Sequence, residues 1–357
     1  MKRLSGMPIA KGMVGLLIGI GLLFLVSRFV NLAFTLYVLL FNLATPKGLC
    51  FALLSGVAFL SAFATRGIRW KLFLNQVGNV STFTVIRLFF ISIFINFLLP
   101  ISSGEIAKSL MLKRTSAIPV HRSLPTVALD RSMDLLPALL IMIIVPFLGI
   151  RMDMKLWFVL GTVASLFLCL MLFVGLAAWK QDAAIALLSK TTAILPTTLG
   201  GKITGFATGF IETILGGVRR PKIFIPALLL TCLAVIFDSL FALFAFWTTG
   251  LSISFGTAIF GYTVFNMFFI LPTPPGQIGS NEVVGLLVFS GLLRLPKYGV
   301  SAMIIFSHPW AALIMCVAGL ISLKALGLTF STAIHRKAEE SGESLLPELE
   351  ETPAALH

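Results

Sequence analysis

The sequence predicts an all-α, polytopic integral membrane protein with inverted repeats and two Pro/Gly-broken re-entrant helical hairpins. Of its 357 residues, 58% are hydrophobic and 11% are charged, whereas soluble domains carry roughly 25% charged and 45–50% apolar residues. The apolar residues form continuous blocks close to the ~20 residues that a helix needs to cross a bilayer. Two of these blocks run into sequence rich in Pro and Gly, which predicts helices that break inside the membrane.

The remaining apolar blocks are predicted to cross the membrane completely. Lys2, Arg3 and Lys11 precede the first block, as in a cleaved signal peptide, but no A-x-A-like cleavage site follows. We therefore expect a retained first helix, with residues 31–44 near the outer interface. The predicted full spans are residues 12–30, 48–65, 133–150, 156–178, 223–249 and 300–323.

The two broken segments, residues 82–100 and 255–271, lead into similar motifs. Pro-x-x-x-Gly occurs at Pro100 and again at Pro272, 172 residues further on. Since the membrane region is about 320 residues long, this separation of about half predicts an inverted repeat. The residues that the two motifs contain are Asn96, Pro100, Ser102, Gly104 and Glu105 in the first, and Asn266, Pro272, Pro275, Gly276, Gly279 and Glu282 in the second.

Positive charge predicts how the chain is oriented, because Lys and Arg concentrate in cytoplasmic loops. With a cytoplasmic N-terminus and two re-entrant hairpins, 20 of the 27 Lys and Arg residues lie inside, 5 lie outside and 2 lie within apolar segments. If residues 82–100 crossed the membrane, the basic stretch from Lys108 to Arg131 would lie outside. We therefore expect a multi-pass protein of the cell (cytoplasmic or inner) membrane, with cytoplasmic N- and C-termini.

Composition changes at His335, and residues 335–357 contain six Glu among small polar residues. This predicts a disordered cytoplasmic tail after one transmembrane domain, residues 1–334.

Several function classes are not expected. The net charge of +13 follows membrane topology, and the basic residues lack the interleaved aromatic residues of a nucleic-acid platform. No H-E-x-x-H, G-x-S-x-G or P-loop motif occurs, so we expect neither an enzyme nor a cofactor. The four Cys lie in apolar stretches without metal-ligand spacing, and no disulfide or metal is expected.

Broken helices at membrane depth persist where protein or a water-filled cavity surrounds their free backbone groups. Ser102-x-x-Glu105 fits a capping box, which would place a helix N-terminus in that cavity, where an anionic headgroup could bind. The alternative is a cap on an interfacial helix. Glu105 and Glu282 both follow a break, and ionisable groups at this depth suggest an ion or substrate path.

A second polar motif is Asp130-Arg131-Ser-Met-Asp134, in which the carboxylates share one helix face. It is either an interfacial salt bridge or part of a site, with Arg131 and Arg122 as candidate phosphate clamps. Asp238 is a further intramembrane acid, and sequence does not identify its partner. For His308, before Pro309, we expect a packed or interfacial histidine.

In chain order these motifs are Asn96, Leu99-Pro100, Gly104-Glu105, Asp130-Arg131, Asp134, Pro272, Pro275-Gly276, Gly279 and Glu282. The pattern, over residues 12–326, resembles the flippase-like transmembrane domain of lysylphosphatidylglycerol synthases and its stand-alone relatives. The resemblance implies that residues 1–334 are a flippase-like domain that moves charged or glycosylated lipids between leaflets. The synthases carry a soluble aminoacyl-transfer domain after this region, whereas a short tail follows here, so lysyl transfer is not expected. The family often has a basic residue before Gly104, where this chain has Ser103 and offers Lys108 instead.

Three functions are considered. The first is a translocase for a membrane lipid, either an anionic phospholipid or a lipid-linked glycan, in which Glu105 and Glu282 gate or take up protons and Arg122 and Arg131 attract phosphate. The second is a non-transporting accessory subunit of a lipid- or glycan-modifying enzyme, and the third is an intramembrane lipid enzyme that uses two Asp and a metal. Membrane lipids are the expected partners. The candidate substrate-binding and translocation residues are Asn96, Pro100, Ser102, Gly104, Glu105, Lys108, Arg122, Asp130, Arg131, Asp134, Asn266, Pro272, Pro275, Gly276, Gly279 and Glu282.

Overall fold

The computed structural model describes residues 17–24, 28, 30–99, 103–134, 136–137, 221–268 and 273–329, with six isolated positions between 144 and 165. The regular structure in these ranges is helical. The spans predicted at 133–150 and 156–178 fall almost entirely outside the described residues, and the predicted tail, residues 335–357, falls wholly outside them.

Within the described ranges, residues 17–24 are helical and nine longer elements follow. They are α1 (Leu32–Leu43), α2 (Pro46–Leu74), α3 (Thr82–Leu98), α4 (Ser103–Ser116), α5 (Val120–Met133), α6 (Pro221–Thr248), α7 (Phe255–Met267), α8 (Ser280–Gly285, continued as a π-helix by Leu286–Leu292) and α9 (Lys297–Ala325). Among the described helices, α2, α6 and α9 are long and apolar enough to cross a membrane, which confirms the apolar helices predicted at 48–65, 223–249 and 300–323.

Polar residues define where several of these helices begin. Asn31, Thr45, Ser81 and Ser254 each precede a helix, and each side chain accepts a hydrogen bond from a backbone N–H of the first turn. Such caps satisfy N–H groups that have no partner within the helix.

The helices α2 and α6 pack against each other in antiparallel orientation. Phe51, near the start of α2, contacts Trp247, near the end of α6, with ring centroids 5.1 Å apart. At the other end of the pair, Phe73 of α2 packs with Ala227 of α6. This pair carries several of the ionic groups discussed below, among them Arg66 and Arg69 on α2 and Asp238 on α6.

The helix α2 is longer than predicted. The predicted span ends at residue 65, and Arg66 and Arg69 are among the 20 basic residues predicted to lie on the cytoplasmic side, but the helix continues to Leu74. Arg69 and the following Trp70 are completely buried. Carboxylates on neighbouring helices pair with Arg66 and Arg69, so both arginines can remain inside the protein. The helix therefore continues past them.

Both predicted breaks are present, and in each the second helix packs on the first. At the first, α3 ends at Leu98 and α4 begins at Ser103; a Cβ on Gly104 would lie 2.0 Å from the carbonyl oxygen of Ser92. At the second, α7 ends at Met267, a 3₁₀ turn spans Pro275–Gln277, and α8 follows. Phe289 and Phe265 pack in one hydrophobic core.

Two further elements hold these breaks in place. Gly279 has φ +77°, and a Cβ there would lie 2.3 Å from the carbonyl oxygen of Gly19, so helical residues 17–24 pack directly on the second break. The long helix α9 contacts both broken segments: Gly319 packs on Phe94 of α3, and Ile304 packs in the core that contains Phe289.

Candidate functional site

Arg69 lies at the centre of a buried ionic network between α2, α5 and α6. Its Nε donates to Asp130 Oδ1 at 2.8 Å, and its Nη2 donates to Asp134 Oδ1 at 2.7 Å and to the Asp130 carbonyl at 2.9 Å. Its Nη1 donates to Thr231 Oγ1 on α6 at 3.1 Å. A buried guanidinium is stable only when its donors are paired in this way.

Arg66 lies one helical turn before Arg69 and supplies the partner of Asp238. Its two terminal nitrogens donate to the two carboxylate oxygens of Asp238, one at 3.2 Å and the other at short distance. Its Nε also lies 3.8 Å from Asp134 Oδ1. Arg66 therefore joins the intramembrane acid on α6 to the motif at the end of α5.

Arg131 closes the network on its exposed side. One terminal nitrogen donates to Glu105 Oε1 at short distance and the other to Asp134 Oδ2 at 3.2 Å. The side chains of Arg131 and Asp134 are 40% and 27% exposed, whereas Arg69 is completely buried. Three guanidinium groups thus surround the single carboxylate of Asp134, and that carboxylate is within reach of the surface.

Lys108 occupies the opposite, inner side and is completely buried. Its Nζ lies 3.4 Å from Glu105 Oε2 and 3.7 Å from Asp130 Oδ2, and it lies 4.4 Å from the ring centroids of both Trp70 and Phe89. Cation–π attraction and the two carboxylates stabilise the ammonium. Lys108 Nζ, Glu105 Oε2 and Asp130 Oδ2 are buried and make no hydrogen bond within the described residues.

Asn96 connects this network to the first break. Its Oδ1 accepts from the backbone N–H of Gly104 at 2.7 Å, and its Nδ2 donates to Glu105 Oε1 at 3.1 Å. One amide therefore caps the start of α4 and positions the carboxylate. The predicted capping residue Ser102 lies outside the described residues, and the cap that the structure describes comes from Asn96 on the preceding helix.

The ionic network is electrically neutral within the part of the chain that the structure describes. Four cationic and four anionic side chains are joined by ion pairs. They are Arg66, Arg69, Lys108 and Arg131, with Glu105, Asp130, Asp134 and Asp238.

A second polar cluster lies at the second break. His308 Nδ1 is 2.7 Å from Glu282 Oε1, and His308 Nε2 is 2.8 Å from the carbonyl oxygen of Gly276. The ring of Phe97 meets the His308 ring edge-on, with centroids 6.3 Å apart. His308 therefore joins α9 to the second break and touches the end of α3.

Most of the predicted site residues that the structure describes lie in or next to one of these two clusters. Among the described residues, no hydrogen bond or ion pair joins Glu105 to Glu282. Arg122 is exposed near the start of α5, Asn266 lies near the end of α7, and Pro275 belongs to the 3₁₀ turn. Three candidates lie outside the described residues: Pro100, Ser102 and Pro272.

Sequence reasoning did not identify Arg66 and Arg69 as site residues. A signal for them was present, since Arg66-x-x-Arg69 places two guanidinium groups on one face of a helix, as Asp130 and Asp134 place two carboxylates on one face of another. Trp70 and Phe73 continue the apolar sequence past both arginines.

Comparisons with known proteins agree with these observations. Residues 12–333 match the protein family described as Lysylphosphatidylglycerol synthase TM region, which confirms the resemblance seen in the motifs. The UPF0104 membrane protein PH1989 of Pyrococcus horikoshii is 25% identical over an alignment of 255 residues, and the alignment covers 67% of this chain and 76% of that protein. No solved structure matches the chain. The match covers both broken segments and both polar clusters, and this membrane protein belongs to the lysylphosphatidylglycerol synthase transmembrane-region family.

Proposed function

We propose that this protein is a translocase that moves a phosphate-bearing lipid headgroup between leaflets of the cell membrane. Anionic phospholipids and lipid-linked glycans share that phosphate chemistry. The observation that carries the proposal is the convergence of Arg66, Arg69 and Arg131 on Asp134, at 3.8, 2.7 and 3.2 Å.

Three guanidinium groups around one carboxylate form a site suited to phosphate. Guanidinium presents parallel N–H donors that match two oxygens of a phosphate as well as they match a carboxylate. Asp134 is partly exposed, so its side chain can turn toward solvent while a headgroup phosphate takes its place. The arginines then remain paired throughout the exchange, which avoids the cost of unpaired buried charge.

Glu105 retains its own contacts during such an exchange. When Arg131 turns to the phosphate, Asn96 and Lys108 still hold the Glu105 carboxylate, at 3.1 and 3.4 Å. Because two cations and an amide stabilise the ionised form, we assign Glu105 a gating role and not a proton-carrying one. The acyl or prenyl chains of the lipid remain in the bilayer.

The proposed architecture is two inverted halves, each with a re-entrant hairpin. Arg66 and Asp238 are 172 residues apart, the same separation as Pro100 and Pro272. Adding 172 to the residue numbers of α3 gives 254–270, which contains α7. Adding 172 to those of α2 gives 218–246, which overlaps most of α6. Arg66 and Asp238 would then be equivalent positions in the two halves. In an inverted repeat, equivalent residues contact each other only near the two-fold axis that relates the halves, and their helices run antiparallel there, as α2 and α6 do. The contact between Arg66 and Asp238 therefore supports an inverted repeat.

Leaflet exchange in proteoliposomes tests the function. Fluorescent phosphatidylglycerol and a short polyprenyl-phosphate sugar supply the phosphate, and a galactosyl diacylglycerol without phosphate serves as the comparison lipid. We expect the protein to accelerate exchange of at least one phosphate lipid over protein-free vesicles. Arg131→Gln should slow it about tenfold, the effect of losing one charge-assisted hydrogen bond. Arg114→Gln, a matched change at an exposed arginine of α4, should leave it unchanged.

Each alternative result has a definite meaning. Equal exchange of the neutral glycolipid would rule out phosphate as the recognised group. No exchange by folded protein, together with copurification of a lipid- or glycan-modifying enzyme, would favour the accessory role. Wild-type rates in Glu105→Gln and Glu282→Gln would remove both carboxylates from the mechanism.

A further inference from the structure

The His308 imidazole uses both ring nitrogens. Nε2 lies 2.8 Å from the carbonyl oxygen of Gly276, and Nδ1 lies 2.7 Å from Glu282 Oε1. A backbone carbonyl accepts hydrogen bonds and does not donate them, so Nε2 must carry a hydrogen. This contact fixes the tautomer of the neutral ring, and the Nδ1 lone pair then points at the carboxyl group of Glu282.

A lone pair and an ionised carboxylate at this distance cannot form a hydrogen bond. A proton between them is required, either on Nδ1, which gives an imidazolium and a carboxylate, or on Glu282, which gives a neutral ring and a carboxylic acid. Both arrangements have zero net charge and differ only in where the proton lies. The 2.7 Å contact is therefore available only while the pair holds this proton.

The surroundings provide no replacement for it. The side chains of His308 and Glu282 are only 12% and 15% exposed, and Glu282 Oε2 is buried without a hydrogen-bond partner among the described residues. Of the elements packed around the pair, α3 contributes Phe97, and residues 17–24 contribute the backbone of Gly19 against Ile278. Within the described ranges, no other titratable or charged group bonds to either side chain.

We propose that His308 and Glu282 form a proton-binding site, in which one shared proton fastens the second break to α9. Loss of the proton leaves a buried carboxylate facing a lone pair, and the two groups separate because the cost of an unpaired buried charge exceeds that of opening the contact. The break is then free to move relative to α9 at the place where it meets Phe97 of the first hairpin. This site lies outside the arginine network and goes beyond the proposed phosphate exchange.

Nitrogen NMR of the full-length protein, labelled with ¹⁵N-histidine in lipid nanodiscs, tests the site directly. The chain has four histidines, and His308→Asn identifies the signal of interest. At pH 6 we expect wild-type His308 to carry a hydrogen on Nε2 and to share a proton at Nδ1. In Glu282→Gln the amide can donate to Nδ1, so the ring should be neutral with a bare Nδ1. In the wild type, a neutral ring with its hydrogen on Nδ1, or a bare Nδ1 together with a ¹³C shift of an ionised Glu282 carboxylate, would overturn the proposal, whether or not the variant folds.

Amide hydrogen exchange of residues 273–285 tests whether the shared proton holds the second break against α9. Between pH 6 and pH 9, after correction for intrinsic rates, wild-type exchange should rise about tenfold, as expected for loss of one ordinary hydrogen bond. Glu282→Gln should show no such rise, and His121→Asn, a change at an exposed histidine, should behave as wild type. A flat wild-type profile, or an equal rise in Glu282→Gln, would contradict the proposal. Neither experiment involves lipid movement, so its failure is distinct from failure of the translocase assay.

Discussion

Arg66 and Asp238 lie 172 residues apart in the chain and form a two-pronged ion pair between α2 and α6. The side chains are only 14% and 9% exposed. Two of the three long apolar helices of the described fold, α2 and α6, are therefore joined by charge as well as by aromatic packing. Because Arg66 also approaches Asp134, this pair couples the helix core to the proposed phosphate site.

Arg66→Leu should destabilise the protein by about 3–5 kcal/mol, because it leaves Asp238 buried without a cation. Unfolding in mixed detergent micelles measures the change. Arg87→Leu, at an exposed arginine of α3, should change stability by less than about 0.5 kcal/mol. The double reversal Arg66→Asp with Asp238→Arg should recover part of the loss, and a double variant no more stable than Arg66→Asp alone would show that the pair is not the cause.

Arg122 and Arg131 were equal candidates for a phosphate clamp, and the structure separates them. Arg122 is exposed and makes no ion pair within the described residues, whereas Arg131 contacts Glu105 and Asp134. In the leaflet-exchange assay, Arg122→Gln should retain the wild-type rate while Arg131→Gln loses about tenfold. The reverse order would place the clamp at the exposed end of α5.

Asp134→Asn should strengthen phosphate binding, because the amide no longer competes as an anion for the three arginines. A gain of about tenfold in affinity corresponds to about 1.4 kcal/mol. Titration of the purified protein with a soluble short-chain phosphatidylglycerol measures it. Asp153→Asn provides a comparison at an acid outside the described residues, and weaker binding by Asp134→Asn would indicate that the carboxylate assists the headgroup.

Asn96→Ala should cost about 1 kcal/mol of stability, the usual effect of removing a helix cap. The variant leaves the Gly104 N–H without its acceptor and removes one donor to Glu105. Asn79→Ala, in an exposed loop position, is the matched control. Equal stability of the two variants in detergent unfolding would show that α4 does not depend on this cap.

Gly104→Ala should separate α3 from α4, because the new Cβ would lie 2.0 Å from the Ser92 carbonyl oxygen. Overpacking of this kind typically costs about 1–3 kcal/mol. Gly21→Ala, where no atom lies within 4 Å of the added Cβ, should be neutral or slightly stabilising. A thermal midpoint for Gly104→Ala equal to that of Gly21→Ala would contradict the close packing.

The two breaks were predictable because their cause is local. Proline lacks a backbone N–H and glycine accepts backbone angles that other residues avoid, so sequence alone locates the ends of α3 and α7. The exposure of Arg122 could also have been anticipated. It is nine residues from Arg131, which is about 180° around a helix of 3.6 residues per turn, so the two side chains point in opposite directions.

The ionic network was less accessible to sequence because its contacts are long-range. Arg69 meets Asp130 across 61 positions and Thr231 across 162, and helix packing decides such pairings. Basic residues after an apolar block ordinarily indicate a cytoplasmic loop, which is why Arg66 and Arg69 were placed outside the helix. Sequence alone also could not show that Asn96 both caps α4 and binds Glu105. Its two partners lie on the following helix, and the geometry of the break brings them to it.

The balance of four cations and four carboxylates in the ionic network has an electrical consequence. A neutral cluster that rearranges carries no net charge through the transmembrane field. A lipid with one negative charge, in contrast, experiences about 2.3 kcal/mol per 100 mV of membrane potential. If the protein is the proposed translocase, voltage would therefore act on a charged lipid and not on this network, and the polarity of the membrane would bias the direction of lipid movement unless a proton travels with the lipid.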